Sequence, residues 1–257
     1  MNIKKYKKEV TLLEKWARQA YQIIKHGKMQ VMDKGTKNDL VTNLDIQVER
    51  FLIEKFNKHF PNLSPVTEEF NPGAELKANA FVIDPIDGTI NFANGISMWA
   101  IQMAILYESE LVASVVYLPC SDEMFVAAKG EGAYLNGKQI HVNNVPIGKC
   151  VYTIDGGSSN NKGKMIEDLK EFTRQHRSLG SAAVSFAYVA KGALGATAFL
   201  RYAYWDFLPG LLLAEEAGAS VFKDEGNYIM ATNNDSTLEI FKKVIKDNYI
   251  FKNSKKK

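Results

Sequence analysis

Cysteine is scarce in this sequence, which contains only two cysteines among 257 residues. Cys120 and Cys150 stand thirty positions apart, a spacing that fits neither zinc sites nor redox motifs. Both a disulfide framework and a zinc site built on cysteine are therefore excluded. The same scarcity favours a reducing, cytoplasmic setting.

Long hydrophobic runs are absent as well. No stretch reaches the roughly 18 consecutive apolar residues that a membrane span requires, and the charged start MNIKKYKKEV has no apolar run behind it. We therefore expect a soluble protein that has no membrane partner.

Neither sign of charge dominates, because 32 basic residues stand against 29 acidic ones and leave a net charge of +3. Much of that excess lies in the terminal NSKKK, and we expect residues 251–257 to form a basic tail. Without a basic stripe elsewhere, the sequence predicts no nucleic-acid polymer as a partner. The run GSSNNKGKM from Gly157 also fails the phosphate-loop pattern, which argues against a kinase of that class.

The first half of the chain predicts two helices followed by a sheet. Apolar residues recur at helical spacing from Val10 to Ile24, and again from Leu44 to Phe56 after a capping pattern at Thr42. From Ala80 onward, the runs FVID, WAIQMAIL, LVASVVYL, MFVAA and AYL are typical of strands in a largely antiparallel sheet. The dipeptide NG at 136–137 predicts a tight hairpin after AYL.

The second half alternates strands and helices. CVYTID, ATAFL and SVFK are predicted strands, whereas MIEDLKEFT, SAAVSFAYVAKG, DFLPGLLLAEEAG and the segment 236–246 are predicted helices. No sequence segment recurs at a regular interval, and no linker rich in proline or glycine divides the chain. We expect one domain over 1–257 with two packed lobes, about 1–145 and 146–250, that share an interface.

The hexapeptide DPIDGT holds two carboxylates three positions apart. Asp84 ends the apolar strand FVI, and Pro85 forces an extended exit, so that Asp87 projects near Asp84. Carboxylates this close repel each other, and a divalent cation between them would keep both ionised. An ordinary turn built on Asp87 and Gly88 is the alternative interpretation.

The residues after this pair favour a phosphate-handling site. Residues 88–92 can begin a short helix, whose free N–H groups attract an anion. The Thr89 hydroxyl can orient an attacking water or accept its proton. The four histidines, His26, His59, His141 and His176, are scattered, so the oxygen-rich ligand set favours Mg²⁺ or Mn²⁺ over zinc.

The segment DPIDGTINF closely resembles the signature of the inositol monophosphatase family of magnesium-dependent, lithium-sensitive phosphatases. The other sequence motifs of the family are also present in the expected order: KGTKNDLVTNLD at 34–45 and TEE at 67–69 before this segment, and GSAA at 180–183 and WD at 205–206 after it. The resemblance covers nearly the whole chain. It implies a layered α-β-α-β-α sandwich of the inositol monophosphatase/fructose bisphosphatase type, in the α+β class, and a homodimer.

The resemblance also implies residue roles. Glu68, Asp84 and the carbonyl of Ile86 would hold one metal ion, and Asp84, Asp87 and Asp206 would hold a second, with two or three Mg²⁺ ions in all and Mn²⁺ as a substitute. Glu68 and Thr89 would orient the attacking water, and Asp45 would support Thr89. Lys34 would lie on a mobile loop. The expected substrate contacts are Asp87, Gly88, Thr89, Gly180, Ser181, Ala182 and Arg201.

Several of these positions have simpler interpretations. Asp206 can cap the helix that follows it, Glu68 and Glu69 can be a solvated charged pair, and Lys34 can be a surface lysine. A catalytically silent binding protein on the same fold is a further alternative, although the intact set of acidic residues argues against it.

The sequence is least informative about which phosphate ester reacts. In the family, a glutamate seven residues before the aspartate of the WD pair contacts inositol, and here Phe199 stands at that position. The segment FLRYAYWD is aromatic and basic, because it contains Phe199, Arg201, Tyr202 and Tyr204. It either packs in the core or accepts a larger, more anionic substrate. Inositol monophosphate is the first expectation, and fructose 1,6-bisphosphate, NADP(H) and 3′-phosphoadenosine nucleotides are the rivals.

Overall fold

The computed structural model of the chain describes residues 1–33, 40–156, 161–200, 202–224 and 227–248. Seven α-helices lie in these ranges: α1 (Lys7–His26), α2 (Asn43–His59), α3 (Thr89–Ala93), α4 (Lys162–Lys170), α5 (Ala182–Ala190), α6 (Tyr204–Glu216) and α7 (Asp235–Asn248). None of them combines the length and the apolar character that a membrane crossing requires.

The strands of the first half form a seven-stranded sheet in the order β3-β4-β5-β6-β7-β8-β9. Its members are β3 (Ser64–Thr67), β4 (Ala80–Asp87), β5 (Ala100–Tyr107), β6 (Glu110–Leu118), β7 (Glu123–Ala128), β8 (Gly132–Leu135) and β9 (Lys138–Ile140). Only the β3–β4 pair is parallel among these described strands, and the other pairs are antiparallel. A separate short hairpin joins β1 (Val31–Asp33) to β2 (Leu40–Thr42).

The second half builds a five-stranded sheet in the order β11-β10-β12-β14-β13. Its strands are β10 (Val151–Gly156), β11 (Gln175–Arg177), β12 (Ala196–Leu200), β13 (Ser220–Asp224) and β14 (Tyr228–Thr232). Strand β10 runs parallel to both of its neighbours, whereas β12 and β13 pair antiparallel with β14.

The helices and sheets stack in five layers. Alternate residues of β4 point to opposite faces of the large sheet: Phe81 and Ile83 pack with α1 and α2, and Val82 packs with α5 and α6. Helices α5 and α6 also cover one face of the small sheet, and α4 and α7 cover its other face. The expected α-β-α-β-α sandwich is therefore confirmed.

The middle layer is closely packed because α6 carries glycine where it crosses α5. A Cβ atom at Gly210 would lie 2.6 Å from the Cβ of Phe186. Pro209 lies in the second turn of α6, where it supplies no backbone N–H to the helix. The contact at Gly210 allows α5 and α6 to approach each other closely within the layer between the two sheets.

The predicted hairpin is present, with positive φ angles of 48° at Asn136 and 80° at Gly137. The helix predicted over 165–173 begins and ends three residues earlier. In the turn that follows it, Thr173 donates both its N–H and its hydroxyl to Leu169 O. Strands β3 and β11 were not predicted. Both are short edge strands, and β3 contains Pro65, which normally argues against a strand.

Strand β14 was also not predicted. All five of its residues are buried, so it lacks the polar and apolar alternation that marks a strand with one solvated face.

Candidate active site

The site begins where two parallel strands end side by side. Thr67 of β3 pairs with Ile83 of β4, so that Glu68 follows β3 at the level of Asp84. Asp84 is buried, with 1% of its surface exposed, whereas Glu68 is half-buried. The parallel register therefore brings an acidic residue from each strand to one edge of the sheet.

A break in strand pairing separates the two aspartates of DPIDGT. Asp84 pairs with Gln102 of β5 and Asp87 pairs with Ala100, and the register shifts between these two pairs. The Ile86 N–H donates to Asp84 Oδ1 over 3.1 Å. The irregularity re-aims side chains at this edge, as β-bulges beside functional sites commonly do.

Helix α6 supplies the third carboxylate. Asp206 is not the N-cap of α6 but lies in its first turn, where its Oδ2 accepts the N–H of the N-cap residue Ala203 over 2.8 Å. Asp206 also joins the cluster, because one carboxylate oxygen each from Asp84, Asp87 and Asp206 lies within 4.8 Å of the others. Gln102 links them by donating to Asp84 Oδ2 and to the carbonyl of Asp206.

Two aspartates of this cluster, Asp84 and Asp87, have raised pKa values. Burial raises the pKa of Asp84 well above its ordinary value of 3.8, and the negative charges of Glu68, Asp87 and Asp206 raise it further. Burial also raises the pKa of Asp87 to about 6, although hydrogen bonds from Ser181, Ala183 and Ala182 oppose that shift. A cation among these groups would remove the repulsion.

Thr89 and Asp45 form a hydrogen-bonded pair beside the cluster. The Thr89 hydroxyl donates to the carbonyl of Ile86 over 3.0 Å and lies 3.5 Å from Asp45 Oδ1. Asp45 is fully buried in the capping box of α2, where its Oδ2 accepts the N–H and the hydroxyl of Thr42. Burial raises the pKa of Asp45 to about 6.

Asp87 anchors the start of α5. Its Oδ2 accepts the Ser181 hydroxyl and the Ala183 N–H, the latter over 2.8 Å. Gly88 has φ of 87°, and a Cβ there would lie 3.0 Å from Met98 O and 3.2 Å from Ser181 Cβ. The DPIDGT turn and the GSAA segment are therefore in direct contact, as the sequence predicts for a shared site.

Gly180 and Ala182 lie in the same contact region. A Cβ at Gly180 would lie 3.1 Å from Asn91 Nδ2, which donates to Leu179 O over 2.7 Å. Ala182 is the first residue of α5 and is fully buried. Their roles as substrate contacts remain predictions.

Two of the predicted site residues fall outside the described part of the chain, and Phe199 lies in the core. Lys34 and Arg201 lie outside the described residues. Phe199 belongs to β12 and packs in the core between the small sheet and helices α5 and α6. Core packing, which is one of the two interpretations of the FLRYAYWD segment, therefore holds for Phe199.

Two buried carboxylates near the site were missed from the sequence. Glu49 of α2 is fully buried, and Asp155 at the end of β10 accepts the Ser178 hydroxyl over 2.7 Å. Asp155 also raises the pKa of Asp87 by its negative charge. The available signal was the position of Glu49 four residues after Asp45, on the same apolar face of α2.

Comparison with known proteins supports the likeness in sequence and in fold. The sequence model of the inositol monophosphatase family matches residues 6–253. A fructose-1,6-bisphosphatase/inositol-1-monophosphatase of Thermotoga maritima is 36% identical over 203 residues, covering 77% of each chain. The inositol-1-monophosphatase of Bacillus subtilis is 31% identical over 237 residues, covering 88% of this chain and 89% of its own.

A solved structure has the same fold. The IMPase/NADP phosphatase complexed with Mg²⁺ and phosphate superimposes with a TM-score of 0.85 at 23% identity, covering 97% of this chain and 100% of its own.

Proposed function

The chain belongs to the inositol monophosphatase family of phosphatases, and we propose that it hydrolyses a small phosphate monoester in a reaction that depends on Mg²⁺. The observation that carries the proposal is that Asp206 lies within 4.8 Å of Asp84 and Asp87, although these two residues stand far earlier in the chain. Such convergence of buried like charges is costly unless the charges serve a cation.

The donor set of the cluster suits magnesium. Its ligand atoms are carboxylate oxygens, with the carbonyl of Ile86 and the carboxylate of Glu68 beside them, and hard oxygen donors are what Mg²⁺ prefers. We propose that Glu68, Asp84, Asp87, Ile86 and Asp206 hold two or three Mg²⁺ ions, with Mn²⁺ as a substitute. When bound, the metal would polarise the phosphate ester and acidify the attacking water.

Thr89 and Asp45 would handle the proton of that water. The Thr89 hydroxyl, which donates to the carbonyl of Ile86 in this structure, would turn its proton to Asp45 Oδ1, 3.5 Å away, as it accepts the proton of the water. A pKa of about 6 suits Asp45 to this task, because a general base works best when its pKa lies near the working pH. Glu68 would orient the water, while Gly88 and Thr89 offer N–H groups to the phosphate.

Inositol monophosphate is the substrate that we propose first. The family resemblance supports it, and so do the inositol-1-monophosphatase activities for which the two relatives are named. On this proposal, Asp87, Gly180, Ser181 and Ala182 contact the substrate. Arg201 is a further proposed contact, and it lies outside the described residues.

A cleft beside the acidic cluster favours a second candidate, a larger or more anionic ester. The cleft has a volume of about 400 Å³ and is lined by Pro72, Gly73, Ala74, Tyr202, Ala203, Tyr204, Trp205 and Lys223. It adjoins the site through Ala203, whose N–H donates to Asp206 Oδ2, and through Trp205, which precedes Asp206. Aromatic rings stack on a base, and a lysine pairs with a second phosphate.

One assay tests both candidates. Purified protein with Mg²⁺ is given inositol 1-phosphate, fructose 1,6-bisphosphate, NADP and 3′-phosphoadenosine 5′-phosphate, and phosphate release is followed. The proposal expects release that EDTA abolishes and that Asp84→Asn lowers by ~10³-fold, equivalent to about 4 kcal/mol of transition-state stabilisation. Magnesium-dependent release that survives Asp84→Asn would refute the mechanism, and no release from any ester would favour a silent binding protein.

The same panel separates the substrates. If the cleft binds part of the substrate, Tyr204→Ala raises KM about tenfold for the larger esters and leaves KM for inositol 1-phosphate unchanged. If the intact protein hydrolyses inositol 1-phosphate as efficiently as any larger ester, the second candidate fails.

The family resemblance also supports proposals about assembly and inhibition. We propose that the chain acts in the cytoplasm as a homodimer and that lithium inhibits it. Sedimentation of the purified protein tests the dimer. Titration of the phosphatase assay with LiCl, using KCl as the ionic-strength control, tests the inhibition.

A further inference from the structure

Helix α2 presents two fully buried carboxylates toward the site, one turn apart. Asp45 reaches Thr89, as described above, whereas Glu49 reaches a different part of the chain. Charged side chains are almost never fully buried unless they are paired or hydrogen-bonded. The position of Glu49 in the interior therefore requires an explanation.

Glu49 binds the backbone immediately after Glu68. Its Oε2 accepts the N–H of Glu69 and its Oε1 accepts the N–H of Phe70, each over 2.8 Å. Two backbone donors on two separate oxygens need a carboxylate, because a glutamine offers only one acceptor oxygen. Hydrogen bonds to an ionised acceptor are also the stronger kind.

Glu68 is held from its other side by the large sheet. Thr67 pairs with Ile83 in the parallel ladder, and its hydroxyl accepts the Asn71 side-chain amide over 3.0 Å. Glu68 thus lies between strand β3, which is paired with β4, and a turn whose backbone N–H groups bind Glu49. Loss of either the strand pairing or the Glu49 hydrogen bonds would let the Glu68 carboxylate move relative to Asp84.

From these contacts we propose that Glu49 is a positioning residue, which fixes the turn after Glu68 and thereby sets the affinity of the acidic cluster for Mg²⁺. The inference rests on the proposed function, because it takes Glu68 to be a metal ligand. Residues that orient metal ligands commonly contribute 10- to 100-fold to metal affinity.

The test compares Glu49→Gln and Glu49→Asp with wild type and with Glu54→Gln. Gln removes the charge and one acceptor, whereas Asp keeps the charge and withdraws both oxygens by one methylene. Glu54 is exposed on the same helix and gives the matched control. Mg²⁺ affinity is measured by titration calorimetry without substrate, and thermal unfolding in EDTA reports whether each variant is folded.

We expect both Glu49 variants to weaken Mg²⁺ binding by about 10- to 100-fold. Glu54→Gln leaves the affinity unchanged. Wild-type Mg²⁺ affinity in a folded Glu49→Gln protein overturns the inference, and so does wild-type affinity in Glu49→Asp, since charge alone would then explain the effect.

Should Glu49→Gln fail to fold, Glu49→Asp decides the question by the same titration. A wild-type protein that binds no Mg²⁺ would refute the proposed function itself. That result differs from one in which wild type and variants bind Mg²⁺ equally well.

Discussion

Asp84→Asn is expected to stabilise the metal-free protein while it destroys activity. Asp84 is buried among Glu68, Asp87 and Asp206, and its pKa lies well above 3.8 because of burial and of these charges. At pH 7 the folded chain must keep this carboxyl protonated or leave it ionised among like charges. The unfolded chain ionises it freely, so the difference favours unfolding.

The structure sets a ceiling on this effect. Keeping a carboxyl protonated costs about 1.36 kcal/mol for each of the roughly three pH units between 3.8 and 7, or about 4 kcal/mol. Asparagine removes that cost, but its amide faces the donating Nε2 of Gln102, which subtracts about 1 kcal/mol. We expect a net gain of about 1–3 kcal/mol, equivalent to a rise in Tm of roughly 2–12 °C.

The assay is urea and thermal unfolding in EDTA at pH 7, with Asp247→Asn as an exposed control on α7. Addition of Mg²⁺ at 100 times its Kd should stabilise wild type by about 2.7 kcal/mol and the Asp84 variant far less. A folded Asp84→Asn protein that is no more stable than wild type in EDTA would refute the view that mutual repulsion strains this cluster.

Three further perturbations test separate parts of the account. Thr89→Ala should lower kcat by about 10²- to 10⁴-fold and Thr89→Ser should restore most of it, in phosphate-release assays; full activity without a hydroxyl would exclude the proton transfer. Gly88→Ala should cost about 1–3 kcal/mol in urea unfolding, because of its positive φ and the approach to Met98 O, and wild-type stability would contradict that geometry. In EDTA, stability should fall as pH rises from about 4 to 6, because Asp45 and Asp87 have folded pKa values of about 6 against 3.8 when unfolded, at about 3 kcal/mol each. Saturating Mg²⁺ should remove the part of that fall that comes from Asp87, which is about half of it, and a loss of stability that Mg²⁺ does not reduce would contradict the assignment of Asp87.

Local patterns predicted the elements that have a clear period. Helices α1 and α2 follow apolar residues at helical spacing, and the Asn136–Gly137 turn follows from its need for positive φ. Strand β3 was not predicted because it contains Pro65, which normally argues against a strand but is tolerated at the edge of a sheet. Strand β14 was not predicted because both of its faces are buried. Strand order depends on long-range packing, which a local pattern does not record.

In the candidate site, too, local proximity could be predicted from the sequence, whereas long-range contacts could not. Asp84 and Asp87 share one short motif, so their proximity follows from the local chain, whereas the placement of Asp206 came only from the family resemblance. The position of Glu49 on the apolar face of α2 was a signal of its burial, but its contacts could not be predicted, because its partners are backbone N–H groups about twenty residues away. Backbone donors leave no mark in a sequence.

The most direct test of the central claim is a crystal of the protein soaked in Mn²⁺, with anomalous scattering used to locate the metal. The account predicts an anomalous peak enclosed by the carboxylates of Asp84, Asp87 and Asp206, and its loss in Asp84→Asn crystals. Peaks confined to other parts of the surface, with none between these three carboxylates, would contradict it.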